Sequence, residues 1–190
     1  MAYHLRRLPE IAAWSQVAES SLWDEGDCPW QVLSQVFDNR GGVSTWLVST
    51  PDEIERAVAA QAFARSTIPK TFGYCLIDEA ILKRERIKAA PKPVVAVDPE
   101  IGKLHHEIIE LCGKQLIRLA WIIRTECEIL DFAREDILSI AARHFGSGRF
   151  ERGALFQGGS KGRSEEEIAN SKSLLVNLWK RAELSLIGLS

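Results

Sequence analysis

The sequence predicts an α+β protein, with a small sheet of three or four strands and flanking helices followed by a predominantly helical C-terminal half. Three observations predict this class. Residues 31–49 alternate turn-forming blocks with β-branched and aromatic residues, a pattern typical of a hairpin. A helix start at Thr50 is followed by a second strand-like run, and from Ile101 to Phe145 an apolar residue recurs every three or four positions.

Length and composition favour a single globular domain. The chain has 190 residues, 46% of them hydrophobic and 26% charged, as in ordinary folded proteins, so a wholly disordered chain is excluded. We predict an α+β portion over 1–97, with a hairpin and a strand–helix–strand unit, and a helical portion over 98–190. The second portion contains a glycine- and arginine-rich loop at 146–163, and we expect both portions to form one compact domain.

Charge and cysteine usage narrow the class of protein. The formal net charge of −2 excludes a generally basic nucleic-acid binder, although not a locally basic one. The four cysteines include no Cys-x-x-Cys pair, and the N-terminal residues have no long apolar core of the secretory kind. The most apolar run, LIRLAWII, is too short to cross a bilayer. We therefore expect a cytoplasmic protein that does not bind membranes.

The N-terminal segments predict one helix and one hairpin. Residues 9–22 carry apolar side chains at spacings of three and four, which predicts a short amphipathic helix. For the next segment we favour a hairpin with strands near 31–37 and 43–49, joined by the turn formers DNRGG. The alternative for the first arm is a helix that begins after Pro29.

The middle of the chain has clearer signals. Thr50 as an N-cap with Pro51 in the first turn predicts a helix over 51–65, and TFGYCLID then reads as a buried strand. Strand, helix and strand in succession indicate a βαβ crossover or a small α+β sheet. The segment EAILKR predicts a short helix before a proline-containing linker, and Val94, Val95 and Val97 suggest an edge strand.

The C-terminal half is predicted to be helical. Asp98 caps a helix with Pro99 in its first turn. The apolar repeat to Phe145 predicts either two packed helices with a break near 125–131 or one long helix that projects toward a partner. Ser164 and Glu167 form a capping box for the last helix.

The stretch KLHHEIIELCGKQL is the densest cluster of chemically capable side chains. On a helix, His106 and Glu110 share a face, and His-Glu-x-x-Glu resembles an incomplete zinc-hydrolase signature. The candidate catalytic residues are His105, His106 and Glu110, for a metal-dependent hydrolase. We favour the alternative in which these side chains are the solvated side of a buried helix, and we expect no metal and no cofactor.

A basic, glycine-rich loop gives a second candidate site. The segment from Arg143 to Arg163 contains five basic residues and one acidic residue, with aromatic residues between them. This composition is suited to binding phosphates and unstacked bases. The candidate anion- or nucleic-acid-binding residues are Arg149, Arg152, Lys161 and Arg163. Residues 83–92 form a second basic segment, and the sequence leaves open whether the two adjoin.

A third candidate is a protein interface. Arg118, Trp121 and Arg124 lie in the part of the predicted helix that is apolar nearly all round, and aromatic and arginine side chains together typify interface hot spots. Burial within its own domain is the alternative. No complete catalytic motif is present, so we lean against an enzyme. We predict a non-catalytic interaction or regulatory protein, with a protein partner or homo-oligomer, and nucleic-acid or phosphoanion binding as the alternative function.

Overall fold

A computed structural model of the chain describes residues 1–9, 14, 30–36, 42–64, 67–150 and 164–186. Within these residues there are six strands and seven helices. The strands are β1 (Tyr3–Leu8), β2 (Val43–Val48), β3 (Thr71–Asp78), β4 (Lys88–Pro91), β5 (His105–Ile109) and β6 (Glu128–Ala133). The helices are α1 (Trp30–Val36), α2 (Pro51–Phe63), α3 (Glu79–Arg84), α4 (Pro99–Lys103), α5 (Gly113–Glu126), α6 (Arg134–Gly146) and α7 (Glu165–Leu186).

The strands form one sheet in the order β4-β5-β2-β1-β3-β6. The pairs β1–β2, β1–β3, β2–β5 and β4–β5 are antiparallel. Since β2 and β3 both run antiparallel to β1, they run in the same direction on its two sides. The chain between them contains α2, so this connection has the strand–helix–strand order of a crossover.

The predicted sheet of three or four strands followed by a helical half is wrong. The sheet has six strands, and the helices are distributed along the chain. The error lies between residues 101 and 145, where the apolar repeat that predicted one or two long helices also contains β5 and β6. A spacing of four is even, so it places residues on one face of a strand as well as on one face of a helix.

The predicted hairpin is also wrong in its first arm. Residues 30–36 form helix α1, the alternative interpretation, because Val32 and Val36 lie four residues apart and are both fully buried. The second arm is confirmed as β2. Of the helix predicted over 9–22, the structure describes only Trp14, which is helical and buried; the rest lies outside the described residues.

Local capping signals predicted three helix starts correctly. The Thr50 hydroxyl accepts a hydrogen bond from the backbone N–H of Glu53 at 3.2 Å, which caps α2. Asp98 caps α4, and Ser164 caps α7. The strand TFGYCLID is confirmed as β3. The edge strand, in contrast, is β4 at Lys88–Pro91 rather than the valine-rich segment that follows it.

The chain divides into two compact units whose segments alternate along the sequence. The sheet unit consists of Met1–Ser49, Gly73–Pro93 and Leu104–Asp131. The helical unit consists of Thr50–Phe72, Val94–Lys103 and Phe132–Ser190. Each unit therefore takes residues from both of the portions, 1–97 and 98–190, that the sequence analysis distinguished.

The sheet unit has a core between one face of the sheet and the helices α1, α3 and α5. Val43, Cys75 and Ile108 project from three strands onto this face, and α5 contributes Leu119 and Ile122. All five side chains are at most 2% exposed. Burial of aliphatic side chains of this size stabilises a fold by roughly 1.5–3 kcal/mol each, so this layer fixes the positions of the strands.

The helical unit is built by α2, which packs against α4 and α6, and by α6, which also packs against α7. Phe63, Phe145 and Phe150 are buried, with ring centroids 5.5–6.4 Å apart. Asp98 is fully buried and accepts two hydrogen bonds from Arg56, at 2.7 and 3.0 Å. None of the helices within the described residues combines the length and the apolar character needed to cross a membrane.

Candidate ligand-binding cleft

The sheet unit contains a cleft of about 330 Å³ between the sheet, α3 and β4. We call it the histidine cleft. Its polar and ionisable lining side chains are those of His4, Glu79, Lys83, Lys88 and His106, and its apolar lining is formed by Leu47, Leu82, Ile87, Ala89, Ala90 and Ile109. A small number of polar groups in a mostly apolar concave surface is the usual composition of a small-molecule site.

Strand register brings the two histidines together. His4 on β1 lies opposite Leu47 on β2, and His106 on β5 lies opposite Thr45. Thr45 and Leu47 are two residues apart on β2 and so project from the same face, and paired residues of antiparallel strands share a face. His4 and His106 therefore lie on one face of the sheet, with their ring centroids 5.6 Å apart in an edge-to-face arrangement.

Helix α3 supplies the charged groups on the other side of the cleft. It begins directly after β3, and the N–H of its first residue, Glu79, donates to the carbonyl of Ala2 next to β1. Glu79 and Lys83 are one helical turn apart and form an ion pair at 3.1 Å. Lys88 on β4 pairs with Glu110 at 2.6 Å.

The hydroxyl of Thr45 is the hydrogen-bond partner of His4. Its Nδ1 lies 3.1 Å from Oγ1 of Thr45, which is fully buried. We infer that this hydroxyl donates to the carbonyl oxygen of His106, 3.4 Å away, and accepts from Nδ1–H of His4. Among the described residues Thr45 is the only hydrogen-bond partner of His4. Nε2 is therefore the ring nitrogen left for a ligand, with its lone pair free.

His106 has the same tautomer for a different reason. Its Nδ1 lies 2.9 Å from the carbonyl oxygen of Leu104. A carbonyl oxygen can only accept, so Nδ1 of His106 carries the proton in this contact. Each imidazole thus uses Nδ1 to bind the protein and leaves Nε2 for other partners.

Burial keeps His4 uncharged. The side chain is only 2% exposed. Burial is the main cause that lowers the pKa of His4 to about 4, and the positive potential of His106 and Lys83 acts in the same direction, against the opposite effect of Glu79. At neutral pH His4 is a neutral base and hydrogen-bond acceptor.

The predicted catalytic trio does not form one site. His105 and His106 are adjacent on a strand, not on a helix, and so project from opposite faces. His105 is buried against Trp46, and its Nδ1 donates to the carbonyl of Lys92 at 2.6 Å. Glu110 is exposed at the end of β5. Within the described part of the chain, no group of three or more His, Cys, Asp or Glu is placed to hold a metal ion.

The structure describes only part of the predicted anion-binding loop. Arg149 pairs with Asp52 at 3.2 Å, and Arg143, at the start of the basic segment, pairs with Glu55 at 2.8 Å. The other three predicted residues, Arg152, Lys161 and Arg163, lie outside the described residues. Anion or nucleic-acid binding by this loop stays a prediction.

Acidic neighbours pair with most bases of the second basic segment. In the sheet unit Arg84 pairs with Glu126 at 2.8 Å, and Lys92 contacts Glu107 at 2.5 Å. Lys83 and Lys88 have their own carboxylate partners in or beside the cleft. The segment is therefore largely neutralised. It belongs to the sheet unit, whereas the described part of the basic loop belongs to the helical unit.

The predicted interface residues make contacts within the sheet unit. Arg118 forms two hydrogen bonds with Glu85, at 2.9 and 3.0 Å, and this contact is the main cause that lowers the pKa of Glu85 to about 2. Trp121 is half-buried and packs against the core, with the guanidinium of Arg124 5.5 Å from its ring centroid. Recognition of a partner chain through this surface stays a prediction.

Sequence reasoning missed His4, Thr45 and Glu79. Their convergence depends on which strands pair and in which register, and no spacing in the sequence links residue 4 to residue 106. The alternation of β1, with His4 between two side chains of the opposite face, is the only local signal that this histidine points to one side of a sheet.

Comparison of the chain with protein-family models, with curated proteins and with solved structures finds no match. Proposals about function must therefore be argued from the chemistry of the residues themselves. The histidine cleft offers the most specific chemistry in the described residues, because it joins a buried neutral imidazole to an accessible cavity.

Proposed function

We propose that the protein binds a small polar molecule in the histidine cleft, with Nε2 of His4 accepting a hydrogen bond from it. One observation carries the proposal: a buried imidazole has its Nδ1 fixed by Thr45 and its Nε2 without a described partner, and it lines a cleft of about 330 Å³. Nε2 of His4 is not among the side-chain atoms that are both buried and without a partner, so it is open to the cleft, and a ligand that enters can donate a hydrogen bond to it.

The size of the cleft limits the ligand to a small metabolite. Ligand sites commonly range from about 300 to 1,000 Å³, and this cleft is at the lower end. At about 30 Å³ per water molecule, the volume corresponds to about eleven waters. Because the cleft is at the lower end of the usual range, we propose a compound of a single ring or a short chain.

The chemistry of the lining favours a ligand with a hydrogen-bond donor next to an apolar part. Leu82 and Ile87 are nearly fully buried and line the cleft beside the polar groups. Apolar walls exclude water and so strengthen a hydrogen bond to His4. A neutral imidazole in this setting is also suited to accept a proton from a bound molecule, as a general base does.

A screen of small polar metabolites tests the proposal. Binding is measured by thermal shift and then by NMR, with attention to the imidazole resonances of His4 and His106. Ala89→Leu places a larger side chain in the lining, on the sheet face of His106, and should abolish binding of any hit. Ala80→Leu, on the exposed side of α3, is the matched control and should leave binding intact.

Two results would contradict the proposal. One is a screen in which no compound shifts either imidazole. The other is a hit whose affinity is the same in Ala89→Leu as in the unchanged protein, since such a compound binds elsewhere. Unfolding curves for both variants show whether a loss of binding comes from the cleft or from a loss of fold.

A further inference from the structure

We propose that the ligand of the histidine cleft is a small carboxylate or phosphate anion, and that His4 takes up a proton when the anion binds. The inference rests on the proposed function and specifies its ligand class. It is carried by the juxtaposition of two lysines and two imidazoles around one cavity that has a single acidic lining residue, Glu79.

Two lysine side chains at the cleft can become the partners of an anion. Lys83 and Lys88 line the cavity, and their side chains are 72% and 68% exposed. Their present partners, Glu79 and Glu110, are also exposed, at 38% and 63%. Exposed ion pairs contribute little to stability because water screens them. A ligand anion can therefore replace these carboxylates as the partner of the lysines at small cost.

The environment of His4 explains why a proton accompanies the anion. The charged and titratable groups that act on His4 are His106 from β5 and Glu79 and Lys83 from α3. On β1 itself, Arg6 lies two residues further along the same face. Its neighbours on β2 and β3 are uncharged. Burial is the main cause that disfavours the imidazolium in the protein alone; His106 and Lys83 act in the same direction, and Glu79 opposes them. A negative charge next to Nε2 favours the imidazolium and so raises the pKa of His4.

The step is a simple protonation. A proton from solvent forms a new N–H bond at Nε2 of His4, and Nδ1–H continues to donate to Thr45. The new N–H donates to an oxygen of the anion, and no bond in the ligand is broken. A charge-assisted hydrogen bond of this kind is stronger than the neutral one it replaces.

The sign of the pH dependence follows from this step. The anion raises the pKa of His4 above its value of about 4 in the protein alone. Between those two pKa values the complex holds one more proton than its separate components, so binding tightens as the pH falls. One proton gives at most about a tenfold change in affinity per pH unit.

NMR of the uniformly ¹⁵N-labelled protein tests the inference directly. Inorganic phosphate and acetate are the anionic probes, and acetamide is a neutral molecule of nearly the same shape as acetate. Titrations are run at several pH values above about 5, where acetate is ionised. We expect acetate or phosphate to shift Nε2 of His4 toward the imidazolium position, and acetamide to have no such effect.

Two variants test whether the anion binds in the histidine cleft. Lys83→Gln combined with Lys88→Gln should weaken anion binding at least tenfold. Lys103→Gln is the matched control, because Lys103 is 66% exposed on helix α4 and paired with a nearby glutamate, as Lys83 is on α3, but lies outside the cleft. This control should bind the probes with unchanged affinity.

The outcomes separate the two proposals. Equal binding of acetamide and acetate, or anion binding that does not vary with pH, would overturn the anion inference while a ligand site remained. If neither the probes nor any compound of the metabolite screen shifts the two imidazoles, the proposed function fails as well. Binding of only one anion supports the inference and identifies its class as phosphate or carboxylate.

Discussion

Replacing Thr45 by valine should change the tautomer of His4 and destabilise the fold. Thr45 is fully buried, and its hydroxyl is the only described hydrogen-bond partner of His4. Valine has nearly the same shape and no hydroxyl, so the change removes the hydrogen bond and leaves the packing almost intact. Nδ1 of His4 then has no described partner, and its proton is free to move to Nε2.

The expected loss of stability follows from the burial of His4. A buried donor or acceptor that loses its partner costs about 1–3 kcal/mol. Because the ring is only 2% exposed, water cannot restore the lost contact, and we expect Thr45→Val to cost about 2 kcal/mol within that range. The long contact of the hydroxyl with the His106 carbonyl, at 3.4 Å, adds little.

Thr45→Ser is the matched control. Serine keeps the hydroxyl and removes a buried methyl group, which costs roughly 1 kcal/mol. Both variants should therefore be less stable by urea unfolding, but only valine should change the chemistry of His4. Long-range ¹H–¹⁵N spectra of the imidazoles report the tautomer directly and separate the two effects.

The reasoning fails if His4 keeps its proton on Nδ1 in Thr45→Val. In that case another group holds the ring, and the availability of Nε2 no longer follows from the hydrogen bond to Thr45. A change of tautomer in Thr45→Ser would contradict it equally, because the serine hydroxyl is expected to do what the threonine hydroxyl does.

Three further predictions concern stability. Asp98→Ala should lower the free energy of unfolding by about 3 kcal/mol, the lower end of the range for a broken buried ion pair, because Arg56 then keeps only the half-exposed Asp52, 3.3 Å away, as a carboxylate partner. Asp98→Asn, which keeps a cap acceptor, should cost less in the same urea titration. Gly102→Ala should cost about 1–3 kcal/mol in thermal melts, because its Cβ would lie 2.3 Å from a backbone carbonyl oxygen. Gly113→Ala has open space around it and should stabilise α5 by about 0.5–1 kcal/mol. Equal effects of the two changes would contradict the packing argument. The pKa of His4 is about 4 in the folded state and 6.5 ordinarily, so the unfolded chain binds the proton first as the pH falls. The free energy of unfolding should therefore fall by roughly 3 kcal/mol between pH 6.5 and pH 4. His4→Gln should remove this contribution from the pH dependence of stability.

Local signals in the sequence correctly predicted the helix starts that have a side-chain cap of the usual kind. The caps at Thr50, Asp98 and Ser164 were all predicted, because each depends on side-chain hydrogen bonds that reach only two or three residues along the chain. The strand at 71–78 was also predicted, since its buried apolar residues are contiguous.

The prediction from the sequence failed where the spacing of apolar residues fits both a helix and a strand. Residues 105–109 fitted a helical repeat, yet they form β5 between β2 and β4. Leu104 and Ile108 lie four apart, a spacing that both structures allow. The choice was made by pairing with distant strands, which a short window of sequence does not contain.

The sequence by itself determined the starts of α2, α4 and α7, which runs are apolar enough to be buried, and that no complete catalytic motif is present. The tertiary structure alone decided the number of strands and the membership of the cleft. Backbone hydrogen bonds between strands fix register, and register places residue 4 beside residue 106 on one face while it turns residue 105 to the other. These contacts join segments about a hundred residues apart, so no local preference of the chain encodes them.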